Sequence, residues 1–155
     1  MRLGVLGPGA ATESALALAG EVGAEIARRG AIMVCGGLGG VMEAAARGAK
    51  QAGGLTVGIL PGFDAREANE FIDVPVATGM GEARNVLVVR SSNAVIAIAG
   101  SFGTLSEIAL ALKIGVPVIG LGTWELRGPD GAEPPIVRAS SATEAVAKAM
   151  EAVER

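Results

Sequence analysis

The sequence predicts an α/β fold in which a mainly parallel sheet is covered by helices on both faces, and three observations predict it. Short runs rich in Val, Ile and Leu alternate along the chain with Ala-rich stretches of helical length. The short runs are apolar at every position rather than at every second one, as in strands buried on both sides. The connections between the two kinds of segment are short, as in repeated βα units. Such a sheet is doubly wound and Rossmann-like, and it holds ligands beyond the carboxyl ends of its strands, where strand order reverses. The chain has 155 residues, and single domains run ~100–200 residues. No tandem repeat or low-complexity linker divides it, so residues 1–155 are read as one domain.

The elements follow in order. Leu3–Leu6 is the first strand, and Thr12–Arg29 a helix with Thr12 as N-cap and Gly30 as C-terminal stop. Ile32–Cys35 is the second strand, and Val41–Gln51 a helix that ends near Gly53 and Gly54. Thr56–Leu60 is a strand closed by Pro61-Gly62, followed by a polar loop over Phe63–Glu70. Ile72–Val76 reads as a short strand, Glu82–Ser92 as a helix and Asn93–Ala99 as a strongly apolar strand. Thr104–Ile114 is a helix stopped by Gly115, and Val116–Leu121 a strand. After a Gly- and Pro-containing loop over Trp124–Pro134 come a last strand, Pro135–Ala139, and a last helix, Ala142–Glu154. Thr104-x-x-Glu107 and Ser141-x-x-Glu144 both match the capping box.

Composition narrows the chemistry. The net charge is −3, from 13 basic and 16 acidic side chains, and no basic stripe of the kind that displaces counterions from nucleic-acid phosphates is present. No His occurs, which excludes Ser-His-Asp triads, imidazole proton shuttles and His-ligated zinc. Cys35 is the only Cys, so neither an intrachain disulfide nor a thiolate metal site is expected. The most apolar stretch, Ala109–Gly122, is interrupted by Lys113, Gly115 and Pro117 and is too broken to span a bilayer. No targeting segment is read at the amino end, and a cytoplasmic location is the expectation.

Three strand-to-helix turns are glycine-rich: Gly7-Pro8-Gly9-Ala10, Gly36-Gly37-Leu38-Gly39-Gly40 and Gly100-Ser101-Phe102-Gly103-Thr104. Each falls at the carboxyl end of a predicted strand and at a helix N-terminus, where unpaired N–H groups and the helix dipole favour an anion. Glycine lets backbone approach a phosphate closely, although tight turns need glycine for positive φ in any case. Thr12 and Met42 stand where a dinucleotide fingerprint needs its third glycine, and no Gly-Lys-Ser/Thr occurs, so common NAD and ATP sites are disfavoured. Arg84, at the start of the predicted 82–92 helix, can pair with a phosphate or carboxylate in bidentate fashion or remain a solvated helix end. Glu107 serves either the site or the capping box with Thr104, while Glu13 and Glu43 read as helix-dipole partners.

The segments Cys35-Gly-Gly-Leu-Gly-Gly-Val-Met42, Gly58-Ile-Leu-Pro61, Arg84 and Gly103-Thr-Leu-Ser-Glu107 resemble, in order and spacing, the LONELY GUY (LOG) family, often labelled "lysine decarboxylase". The resemblance covers roughly residues 1–122. LOG-type members are phosphoribohydrolases that cleave the N-glycosidic bond of nucleoside 5′-monophosphates. Their Pro-Gly-Gly-x-Gly-Thr-x-x-Glu motif and upstream Arg-Lys pair imply roles for Arg84 and Glu107 as catalytic residues and for Gly103 and Thr104 in a phosphate cradle. Here Ala99-Gly100-Ser101 replaces Pro-Gly-Gly, and Asn85 replaces the Lys. Both departures, with Gly79-Met-Gly-Glu-Ala-Arg-Asn85, are similar to the molybdenum cofactor carrier proteins, a sister branch that binds a phosphorylated pterin.

The expectation is therefore binding of a phosphate-bearing nucleotide-like or pterin ligand, with molybdenum cofactor as a carried ligand and no cofactor required for catalysis. The alternative is a LOG-type phosphoribohydrolase. The ligand-binding set is Gly7, Pro8, Gly36, Gly37, Gly39, Gly40, Gly100, Ser101, Gly103 and Thr104. The resemblance further implies a homo-oligomer, dimer or tetramer, while the charge pattern and the broken apolar stretch lead to the expectation of no nucleic-acid or membrane partner. A pyridoxal-dependent decarboxylase needs a Schiff-base Lys. Lys50, Lys113 and Lys148 all fall within helices away from the glycine-rich edge, so that activity is rejected.

Overall fold

The computed structural model describes residues 1–154. Its seven strands are β1 (Arg2–Leu6), β2 (Ile32–Cys35), β3 (Thr56–Leu60), β4 (Val74–Ala77), β5 (Ala94–Ile98), β6 (Val118–Leu121) and β7 (Ile136–Arg138). The helices are α1 (Glu13–Arg28), α2 (Val41–Gln51), α3 (Asn85–Arg90), α4 (Phe102–Ile114) and α5 (Ala142–Glu154). The strands form one sheet in the order β4-β3-β2-β1-β5-β6-β7, and every pairing is parallel. Strand order reverses between β1 and β5, so the switch point lies at the carboxyl ends of those two strands.

The burial pattern follows from position in the sheet. All five residues of β5 and all four of β6 are buried, whereas β4, at one edge, is exposed throughout. Pro75 sits in that edge strand, where its missing N–H breaks no interior ladder. One core layer joins the sheet to α1, α2 and α5 through Leu3, Ile26, Met33, Ala45, Ile96 and Ala145. The other joins it to α3 and α4 through Leu6, Val34, Val88, Val95 and Ile108. With four aromatic residues in the chain, these cores are aliphatic. Small residues bring α1 and α2 into backbone contact: a Cβ at Gly23 would overlap the Ala45 carbonyl, and one at Gly48 the Gly20 carbonyl.

Several local expectations are corrected. The predicted 82–92 helix is a 3-10 turn, Gly81–Arg84, followed by the short α3. Gly79 and Gly81 both have positive φ, and the tight entry that they permit leaves no room for a first α-helical turn. Helix α4 starts at Phe102, two residues before the predicted start, with Ser101 as N-cap. The Thr104–Glu107 capping box does not form: the Thr104 hydroxyl accepts the Ser101 N–H at 3.3 Å, and Glu107 is buried. In the other box, Ser141 accepts the Glu144 N–H at 3.2 Å, but the Glu144 carboxylate reaches one residue further back, to the Ser140 N–H and hydroxyl. Thr12 does cap α1, accepting the Ala15 N–H at 3.3 Å.

Candidate functional site

Because every strand runs the same way, the turns after β1, β2, β3 and β5 emerge on one rim. The first two turns touch: the Val41 N–H donates to the Pro8 carbonyl at 3.0 Å, and a Cβ at Gly40, which has φ +65°, would overlap that carbonyl. The first turn also meets β5, since a Cβ on Gly7 would lie 2.9 Å from the Ile98 carbonyl oxygen. The turns at 7–10, 36–40 and 99–104 therefore converge at the switch point.

The glycines of this rim fall into two groups. At Gly7, Gly36, Gly37, Gly40 and Gly100 the space of the missing side chain is filled by the protein itself: by Val41, by Arg84 and Met42, by Leu60, by Pro8 and Gly9, and by Trp124 respectively. At Gly9 nothing lies within 4 Å of the Cβ position, and at Gly39 and Gly103 only ordinary van der Waals neighbours do. Among these glycines a side chain would find open space only at Gly9, Gly39 and Gly103, although Gly100 is exposed as well. Gly9 is not among the ligand-binding residues expected from the sequence, because crowding between distant residues has no signature there. Pro8 and Ser101 line the same turns, while Thr104 is buried and uses its hydroxyl inside the α4 cap.

Arg84 links the second and third turns. It is 9% exposed, and its Nη2 donates to the Gly36 carbonyl at 3.4 Å while Nη1 donates to the Asn85 side-chain oxygen. Asn85 Nδ2 donates to the Ser106 hydroxyl at 3.0 Å, and Ser106 donates to the Gly103 carbonyl at 2.7 Å. Residue 85, where the LOG pattern has Lys, is thus a neutral link between Arg84 and the turn at Gly103. Arg84 Nε is buried and has no hydrogen-bond partner among the described residues. Buried donors on a charged group are seldom left unpaired.

Glu107 projects from α4 into this region, 7% exposed, and makes no hydrogen bond to the described residues. Burial pushes its carboxyl up to about 7, against the opposing pull of the Arg84 guanidinium. Cys35, at the end of β2, is fully buried, and burial pushes its thiol up to about 12 although Gly37 donates its N–H to the sulfur at 3.3 Å. Glu43 reaches the rim beside Gly39, with Oε2 3.8 Å from the Cβ position there.

Ala99 has φ +53°, the one non-glycine residue with positive φ among the described residues. A proline, locked near φ −65°, cannot take this conformation, so the turn is built differently from a Pro-Gly-Gly turn that would place proline here. The loop after β6 packs on it: the Thr123 hydroxyl donates to the Ala99 carbonyl, and Trp124 Nε1 donates to the Ser101 carbonyl at 3.1 Å. A surface hollow of about 780 Å³ lies between α1, α2 and α5, away from the rim. Among the described residues no group of three or more His, Cys, Asp or Glu is placed to hold a metal, and no helix is long and apolar enough to cross a membrane.

A family model described as the SLOG cluster4 family matches residues 1–154. The chain belongs to the SLOG cluster4 family. Among the relatives of this SLOG cluster4 protein is an uncharacterised protein of Archaeoglobus fulgidus, 50% identical over 121 residues, which are 78% of this chain and 80% of that one. The molybdenum cofactor binding protein from the phototrophic bacterium Rippkaea orientalis is 39% identical with TM-score 0.88, covering 99% of this chain and 97% of that one. The molybdenum cofactor carrier protein from Chlamydomonas reinhardtii is 36% identical with TM-score 0.86, covering 99% of both chains.

Proposed function

We propose that this SLOG cluster4 protein binds a phosphate-bearing pterin of the molybdenum cofactor type at the carboxyl rim of its sheet, as a carrier. The observation that carries the reading is Arg84: a guanidinium nine-tenths buried against the turn at 36–40 and linked through Asn85 and Ser106 to Gly103, with Nε unpaired. A phosphate or ring carbonyl arriving there supplies the missing acceptor, and charge-assisted bonds are the stronger kind. On the rim, the uncrowded positions at Gly9, Gly39 and Gly103 leave room for a doubly charged group. Of the first-turn N–H groups of α4, that of Thr104 meets the Ser101 side chain, while those of Phe102 and Gly103 have no helical acceptor and suit an anion. Glu107, with its carboxyl near 7, carries a proton for part of the time at neutral pH and so repels that anion less than an ordinary carboxylate does. Likeness to proteins named for binding or carrying molybdenum cofactor, over nearly the whole length of both partners, supports the same reading.

Calorimetric titration with neopterin monophosphate and with AMP tests it. Saturable binding of the pterin phosphate, lost in Arg84→Ala, is expected; no saturable binding of either probe overturns the proposal. The second reading, phosphoribohydrolysis, is favoured by one observation: a buried carboxyl near 7 beside an arginine suits general acid–base work. Release of adenine from AMP that disappears in Glu107→Ala would decide for it.

A further inference from the structure

Phe102 and Trp124 form a stacked pair on the rim, with ring centroids 6.1 Å apart and planes inclined by 28°. Phe102 is 82% exposed, so its ring contributes little to either core layer. Trp124 is held in place by hydrogen bonds and by its neighbours. Its Nε1 donates to the Ser101 carbonyl, Arg138 Nη2 donates to its own carbonyl at 2.8 Å, and its neighbour Thr123 is bonded to Ala99. Gly100 leaves room for it, since a Cβ there would stand 2.5 Å from Nε1. A hollow of about 270 Å³ lined by Ala99, Gly100, Gly122, Thr123 and Trp124 opens beside the pair. On the other side Phe102 walls a groove of about 660 Å³ with Asn85, Gly103 and Ser106, the residues that connect Arg84 to the rim. A largely exposed ring next to a fixed one, one residue from an open glycine, is an arrangement that packing alone does not explain.

We infer that Phe102 and Trp124 are the shelf on which the flat fused-ring part of the ligand stacks while its phosphate rests at Gly103 and the start of α4. The inference rests on the proposed pterin-phosphate reading and adds the residues that recognise the ring. Both rings offer π-faces, and a pterin is a planar, polar bicycle of the kind that stacks on such faces.

The test compares two probes, neopterin monophosphate and ringless glycerol 3-phosphate, by calorimetry on the intact chain and on Phe102→Ala and Trp124→Leu. Phe102→Ala is the primary variant because a side chain so exposed is not needed for folding, and thermal melts check Trp124→Leu. The expected result is an affinity loss of about five- to 150-fold for the pterin phosphate, with glycerol 3-phosphate changed less than about twofold. Pterin-phosphate binding unchanged in both variants, or an equal loss for both probes, overturns the shelf and leaves the carrier reading standing. Absence of pterin-phosphate binding to the unaltered chain removes both.

Discussion

Arg84 and Glu107 interact through the interior as opposite charges, yet no hydrogen bond joins them. The guanidinium spends its two Nη groups on Asn85 and Gly36, and the carboxyl is left in a nearly dry environment without a donor. This is a charge pair held apart, and it makes both groups responsive to whatever enters between the turns.

The first prediction concerns pH. Glu107 has a folded-state pKa of about 7 against 4.5 for an ordinary Glu. Between those values the folded state keeps a proton that the unfolded state has lost, so stability falls as pH rises from about 4.5 to 7 and then levels. At ~1.36 kcal/mol per unit the loss is of the order of 3 kcal/mol. Glu107→Gln removes it: the variant should melt several degrees above the unaltered chain at pH 8, at ~2–4 °C per kcal/mol, and close to it at pH 4. Parallel melting curves from pH 4 to 8 check this.

Arg84→Lys keeps the charge and loses the fork. The ammonium cannot serve Asn85 and Gly36 in the same geometry and also present a donor to a ligand. Affinity for neopterin monophosphate should fall by roughly ten- to 100-fold, in line with ~1.5–3 kcal/mol for a bond to a charged group. The measurement is calorimetric, and an affinity unchanged by the substitution would remove Arg84 from the site.

The two glycine groups predict opposite phenotypes. Gly40→Ala forces a Cβ onto the Pro8 carbonyl at φ +65° and should cost ~1–3 kcal/mol of stability. Gly39→Ala meets only contacts of 3.6 Å or more and should leave the melting temperature nearly unchanged while weakening the pterin phosphate. Denaturant midpoints and titrations on the same two variants separate the effects.

Cys35 should be inert. A buried thiol pushed up to about 12 holds almost no thiolate at neutral pH. Iodoacetamide should leave the native chain unmodified and alkylate it once guanidinium unfolds it, as mass spectrometry can read.

Much of the architecture was written in the residues. Fully apolar runs such as Ala94–Ile98 announce strands covered on both faces, and Thr12 announces the start of α1. Segments whose form depends on distant partners were less legible. The 81–90 stretch has helical spacing, but two positive-φ glycines wind its entry into a 3-10 turn. Thr104-x-x-Glu107 has capping spacing, but Ser101 takes the cap position and leaves Glu107 to the interior. At the site, spacing locates the glycine turns, while which glycines face open space depends on Val41, Arg84, Leu60 and Trp124 arriving from elsewhere in the chain. Trp124 lies in a segment read only as loop, and its place against Gly100 follows from hydrogen bonds to Ser101 and from Arg138 that span 23 and 14 residues.

The rim is assembled from turns near residues 8, 38 and 102 that meet only when the parallel sheet is complete. A half-formed intermediate has no such rim, so any molecule held there selects the finished fold and adds RT ln(1 + [L]/Kd) to the stability of the whole domain. Protein with and without a bound ligand should accordingly differ in lifetime against proteases, the ligand guarding the domain that holds it.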